Sequence, residues 1–226
     1  MTIENKQSQL VATARTAGIW YLMMAVSGIL GFLIFHSQVF DANPEKTLTN
    51  LTESESLARV RLLLEFAIVV SQALTAVWFY KLFRNINNWA AWAVGAWGMV
   101  NAVAIMISAI SMGSAIEIAS SSQVLDDKVV LIELLSSLIT NSWGVGSLFF
   151  GLWLIPLGYI VTSSKRMPVW LGRTLIIGGI GYLLSVVGSY TGIENPIFDY
   201  LTIPATVGEF WMIGYLLIFG IRPLNE

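Results

Sequence analysis

The side chains able to do chemistry are few, and most of them sit inside apolar runs. Glu209 stands in Val207-Gly208-Glu209-Phe210-Trp211, about eight residues into an apolar stretch and so roughly 12 Å along a helix. An ionisable group at that depth is expensive and should face protein, a cavity or a partner. Glu65 is its natural companion, since the uncharged run that follows, Phe66 to Tyr80, is only 15 residues long. Glu65 must then lie inside the boundary of a membrane of ordinary thickness. Arg61 lies four residues earlier, where a local helical ion pair is the ordinary alternative to a shared site. With Asn141, these three form the candidate ligand-binding set: Glu209, Glu65, Arg61 and Asn141. A structural carboxyl group, bonded to a neighbouring helix, explains Glu209 about as well as a proton-linked or ligand-binding one. His36, the only histidine, ends an apolar run, and its ordinary pKa of about 6.5 makes it a candidate pH sensor; a solvated interfacial imidazole is the plainer reading.

Several chemistries are excluded or weakened. The chain has no cysteine and one histidine, which removes disulfides, thiolate catalysis and two-histidine zinc or haem sites within one chain. No metal site and no cofactor are expected. Gly144-Val145-Gly146-Ser147 has no following Lys-Ser/Thr, so it is not a phosphate-binding loop. As a serine nucleophile, Ser147 has its only candidate base at the far end of another run. The net charge of −2 gives no case for a nucleic-acid partner.

The elements that must position these residues are membrane spans. Of the 226 residues, 56% are hydrophobic and only 12% charged, about half the charged share of a soluble domain. About 20 apolar residues cross the hydrocarbon core, and six such runs can be placed, at approximately 16–36, 58–83, 89–112, 140–162, 168–190 and 201–221. The first is too long for a cleaved signal peptide and is expected to be retained. The stretches 37–57 and 113–130 read as outer loops. Leu131, Leu134, Leu135, Leu138 and Ile139 share a helical face and suggest an interfacial part before the fourth span. Pro156 should kink that span. Lys6, Arg15, Lys81, Arg84, Lys165, Arg166, Arg173 and Arg222 fall on one side and Lys46, Arg59, Arg61 and Lys128 on the other, eight against four. The positive-inside rule then places both termini in the cytoplasm. The expected fold is an all-α integral membrane protein, a six-helix transmembrane bundle forming one domain over 1–226. Small residues four apart (Gly181, Ser185 and Ser189; Ser27 and Gly31; Ala91 and Gly95) suit close helix packing in lipid.

The chain resembles a known family. Ala14-Arg15-Thr16-Ala17-Gly18 with Tyr21-Leu22, Phe79-Tyr80-Lys81-Leu82-Phe83, and Phe149-Phe150-Gly151-Leu152-Trp153 followed by Pro156-Leu157-Gly158-Tyr159 carry the resemblance. So do Pro168, Leu171-Gly172, Gly179-Ile180-Gly181-Tyr182-Leu183, and Pro204-Ala205 with Gly208-Glu209. This pattern is similar to the bacterial membrane family catalogued as domain of unknown function 4386. The resemblance implies six spans and a bacterial plasma membrane, and it supplies no activity. Where many members carry an acid soon after the Gly-Tyr-Leu of span five, this chain reads Leu184-Ser185. Gly18-Ile19-Trp20-Tyr21-Leu22 also echoes Gly179-Ile180-Gly181-Tyr182-Leu183, and Glu65-Phe66 echoes Glu209-Phe210. That is either a parallel repeat of the kind some transporters use or chance similarity between apolar stretches.

The sequence therefore points to binding or transport of a small molecule, lipid or ion at an outward-facing acidic site. The alternative is a structural or regulatory partner of another membrane protein, acting through its small-residue faces in a homo- or hetero-oligomer. An intramembrane enzyme comes last, because carboxylates alone would have to do the acid–base work.

Overall fold

The computed structural model describes residues 3–122, 124–192 and 195–223. Among them the only regular elements are helices. Helix α1 (Ile3–Ile29) passes into a π-helical segment (Leu30–His36) and a last turn, α2 (Ser37–Val39). Then come α3 (Pro44–Glu53), α4 (Glu55–Phe83), α5 (Asn88–Ala119), α6 (Leu125–Ser164), α7 (Val169–Tyr190), α8 (Ile197–Tyr200) and α9 (Ile203–Ile218). Five helical stretches are long and apolar enough to cross a membrane: Glu4–Val39, α4, α5, α6 and α7. Helix α9 is apolar but has only 16 residues, about 24 Å of helix.

Two regions read as loops hold helix. Helix α3 lies within 37–57, started by Asn43, whose Oδ1 accepts from the Glu45 N–H at 2.9 Å, with Pro44 in the first turn. Within 113–130, α5 runs on to Ala119 and α6 begins at Leu125. The reason is burial: Met112, Ala115, Ile116 and Ala119 pack with Leu48, Leu51, Ile132 and Ile139 in one apolar cluster, which makes helix the favoured state there. Helix α6 has 40 residues, about 60 Å, twice the hydrocarbon thickness, and it continues through Pro156. Its buried face in the first half is Ile132, Ile139 and Ser142, while Leu134 and Leu138 are exposed.

The chain divides into two compact units. Unit 1 comprises Met1–Leu22, Gln72–Asn101 and Gly146–Glu226. Here α6 and α7 approach through paired glycines. A Cβ on Gly151 would stand 2.8 Å from the Gly179 carbonyl oxygen, and one on Gly179 the same distance from the Gly151 oxygen. Gly158 and Gly172 stand in the same reciprocal relation. The members are seven residues apart on each helix, two turns, so two rungs of backbone contact hold this antiparallel pair. Gly178 and Gly181 do likewise for the Ala205 backbone and the Leu201 carbonyl. Ser189, grouped with Gly181 by spacing, is exposed, and Gly188 takes the buried position against Phe198. The chain ends of unit 1 are tied together by Arg166, which donates from Nε to the Arg222 carbonyl (2.7 Å) and from Nη2 to Gln7 Oε1 (2.9 Å). Gln7 donates in turn to the Ile221 carbonyl at 2.7 Å.

Unit 2 comprises Met23–Ser71 and Ala102–Val145. The apolar cluster just described is its core, and a buried polar centre lies within it.

Candidate functional site

Arg61 and Glu65 sit one turn apart on α4, and both side chains are fully buried, at 0% exposure. Arg61 Nη1 donates to Glu65 Oε2 at 2.7 Å. Glu65 Oε1 accepts two more hydrogen bonds, from Ser108 Oγ of α5 at 2.6 Å and from the Trp143 indole Nε1 of α6 at 2.9 Å. Three donors on one carboxylate, one of them charged, compensate much of its desolvation. The carboxylate is thus an anchor for three helices of unit 2.

Arg61 is less well served. Its Nε and Nη2 are buried and have no hydrogen-bond partner among the described residues. Its guanidinium carbon lies 5.3 Å from the centre of the Phe32 ring, within cation–π range. Gly31 makes this approach feasible, because a Cβ there would stand 3.3 Å from Nη1. Both Gly31 and Phe32 belong to the π-helical segment. Such segments insert a wide turn into an α-helix and recur at functional sites.

His36 closes the same segment. Its ring stacks on Phe32 and on Phe40, each at 5.3 Å and 23°, and Trp143 meets Phe32 edge-on at 4.2 Å. The residue is half-buried, and its imidazole Nδ1 is buried without a hydrogen-bond partner among the described residues.

Asn141 lies on a different face of α6 from Trp143. It is exposed and donates to the Ser137 carbonyl at 2.9 Å. It lines a separate cleft of about 330 Å³ with Asp41, Glu133, Ser136 and Thr140. Positions 141 and 143 diverge by about 200° around a helix, so the one that brings Trp143 to Glu65 turns Asn141 away.

Glu209 belongs to unit 1. It accepts a hydrogen bond from the Tyr21 hydroxyl at 2.6 Å. Tyr21 is fully buried and meets Phe79 and Trp153 edge-on, at 5.6 and 5.7 Å. Glu65 and Glu209 therefore have separate donor sets in separate units, with no hydrogen-bond partner in common among the described residues. The pairing of the two acids expected from sequence does not appear in their bonding. Ser108, Phe32 and Gly31 were not singled out as site residues, and Trp143 was considered only as the centre of an aromatic cage for a cationic ligand. Trp143 carried a usable signal, because a buried indole N–H normally finds an acceptor; Ser108, in an uncharged helix, carried none.

Described residues whose only regular elements are helices, five of them apolar enough to cross a bilayer, with an ion pair buried in unit 2, have the make-up of a membrane protein. The chain belongs to the family described as "Domain of unknown function (DUF4386)", whose profile matches residues 16–220. An uncharacterized protein of Archaeoglobus fulgidus is 32% identical over 69 residues, 30% of this chain and 43% of that protein. The chain thus spans less than half the length of that curated relative. No solved structure matches the chain.

Proposed function

We propose that this protein is a six-span membrane protein, with α9 as the short sixth span and both termini in the cytoplasm of a bacterial cell, that binds a small molecule at the Arg61 centre of unit 2. The observation that carries the reading is the unsatisfied edge of a fully buried arginine. Leaving charged donors buried and unpaired costs more than the 1–3 kcal/mol or so typical of a neutral group, and buried polar atoms without partners call for an explanation. A ligand with a hydrogen-bond acceptor supplies one. The acidic site expected from sequence becomes, in this reading, a cationic edge held in place by an acid. Glu65 orients and balances Arg61, and the ligand meets the arginine.

The test is a ligand screen by thermal stability on the purified full chain in lipid nanodiscs, comparing wild type with Arg61→Lys. Lysine keeps the charge opposite Glu65 but lacks the planar set of donors. A compound class that raises the wild-type melting temperature and fails to raise that of the variant supports the proposal. If no compound distinguishes the two proteins, the centre is a structural ion pair. A role as the partner of another membrane protein then becomes the better account.

A further inference from the structure

The two unpaired nitrogens of Arg61 are not an arbitrary pair. In a guanidinium group Nη1 lies on the side of Cδ, so the Nε–H and one Nη2–H point the same way in one plane. Glu65 occupies Nη1, and the free groups are Nε and Nη2. What remains is a two-pronged edge whose spacing matches the two oxygens of a carboxylate or phosphate. We infer that the ligand of the Arg61 centre is a monocarboxylate, bound through both oxygens to Nε and Nη2; this rests on the binding reading given above.

Charge selects the carboxylate over a phosphate. Within the centre Arg61 is the fixed cation, and Glu65 already opposes it at 2.7 Å. A second single negative charge can share the guanidinium from its other edge, whereas a phosphate dianion would add two charges where one is already offset. Shape points the same way, since the free edge offers two coplanar donors and a carboxylate uses both with no oxygen left over. The surroundings favour an apolar body on that carboxylate. Phe32, His36 and Phe40 form a continuous stack, and Trp143 closes against Phe32. Among the described residues His36 Nδ1 is also buried without a partner, on the ring that shares Phe32 with Arg61. It is a candidate third donor to the same head group.

The experiment uses the full chain in nanodiscs of phosphatidylcholine, with empty discs as the control for partitioning. Four probes are compared by calorimetric titration and thermal shift: decanoate, acetate, decyl phosphate and decanol. Decanoate should bind, with decanol and decyl phosphate at least about 10-fold weaker. Arg61→Lys should lose about 10- to 100-fold in decanoate affinity, the range of a charge-assisted hydrogen-bond pair. His36→Phe, which keeps the aromatic stack and removes Nδ1, should lose less than that and still bind. Acetate binding as well as decanoate assigns the site to a small soluble carboxylate, and acetate staying silent assigns it to a fatty-acid-like amphiphile; both sustain the inference.

Decyl phosphate matching or exceeding decanoate overturns the carboxylate assignment and leaves the binding proposal standing. So does an Arg61-dependent ligand from the screen that has no carboxylate. Decanoate binding equally to wild type and Arg61→Lys places it elsewhere and also overturns the inference. The absence of any Arg61-dependent ligand removes inference and proposal together. The ranking of decanoate against decyl phosphate and decanol is made on wild type and tests the carboxylate assignment without the variants; the Arg61-dependent outcomes are read only on Arg61→Lys protein whose unfolding transition is intact.

Discussion

Glu65 is held by three donors and Arg61 by one acceptor, and this asymmetry fixes what each substitution does. Glu65→Gln leaves the arginine charge buried without its counter-charge. A loss of about 3–5 kcal/mol is expected, seen as a lower denaturation midpoint in detergent. Replacing both partners, as Arg61→Met with Glu65→Leu, should recover most of that loss, since an apolar pair of similar volume needs no compensation. If the double variant is as unstable as Glu65→Gln, the polar centre contributes to folding in some way other than pairing. The pair itself was legible in the sequence, because an i,i+4 Arg and Glu on a helix meet by geometry alone. Its other partners were not, since Ser108 and Trp143 lie 43 and 78 residues from Glu65, and only the packing of three helices decides which polar atoms face each other. Asn141 illustrates the same point: without the helix phase, depth and polarity do not distinguish it from Trp143.

Helix contacts in unit 1 depend on positions where no side chain fits. Gly179→Ala would put a methyl group 2.8 Å from the Gly151 carbonyl oxygen and 2.9 Å from Ile155. Neither helix can yield without moving the other, so a loss of about 1–3 kcal/mol is expected, as for an overpacked core. Gly214→Ala, with nothing within 4 Å, is the matched control and should leave the thermal midpoint nearly unchanged. Equal effects from both would mean that the glycine rungs do not set the helix spacing. The small-residue pattern announced close packing, but it grouped residues by fours, whereas the rungs repeat every seven and the register comes from the opposing helix.

The start of α3 carries a different dependence. The Asn43 backbone N–H and the Lys46 ammonium hold the Asp41 carboxyl below its ordinary 3.8. Its pKa is lower folded than unfolded, so its contribution is complete above about pH 3.8 and disappears as the pH falls through the lowered value. Hydrogen exchange in 43–47 should therefore quicken at the acid end in wild type. In Asp41→Asn it should already be quick at neutral pH, with no such step.

For the whole molecule, the composition made the class plain, and each of the five long helices was found as an apolar run, α4 and α7 nearly to their ends, while α1, α5 and α6 run well past the apolar stretches at 16–36, 89–112 and 140–162. Their division into two units was not legible, because α1, α4, α5 and α6 each contribute residues to both and no shift in composition marks where one unit yields to the other. Sidedness is directly measurable, since the natural chain has no cysteine and single replacements report without background. A membrane-impermeant thiol reagent applied to intact cells should label Glu53→Cys and Asp126→Cys. Asn85→Cys and Lys165→Cys, also at exposed positions, should react only after the membrane is opened. The reverse pattern would invert the topology and place the Arg61 centre towards the cytoplasm. The π-helical stretch Leu30–His36 has a consequence for descent as well as shape. A wide turn of this kind corresponds to one residue more than an α-helix needs, so relatives that lack it should align with a one-residue gap between Gly31 and His36. Deleting Leu33, which is 77% exposed, would reproduce such a relative in the laboratory. The shortened chain would close the wide turn into ordinary α-helix, keeping the later side chains of that helix in phase and leaving the ion pair on α4 intact.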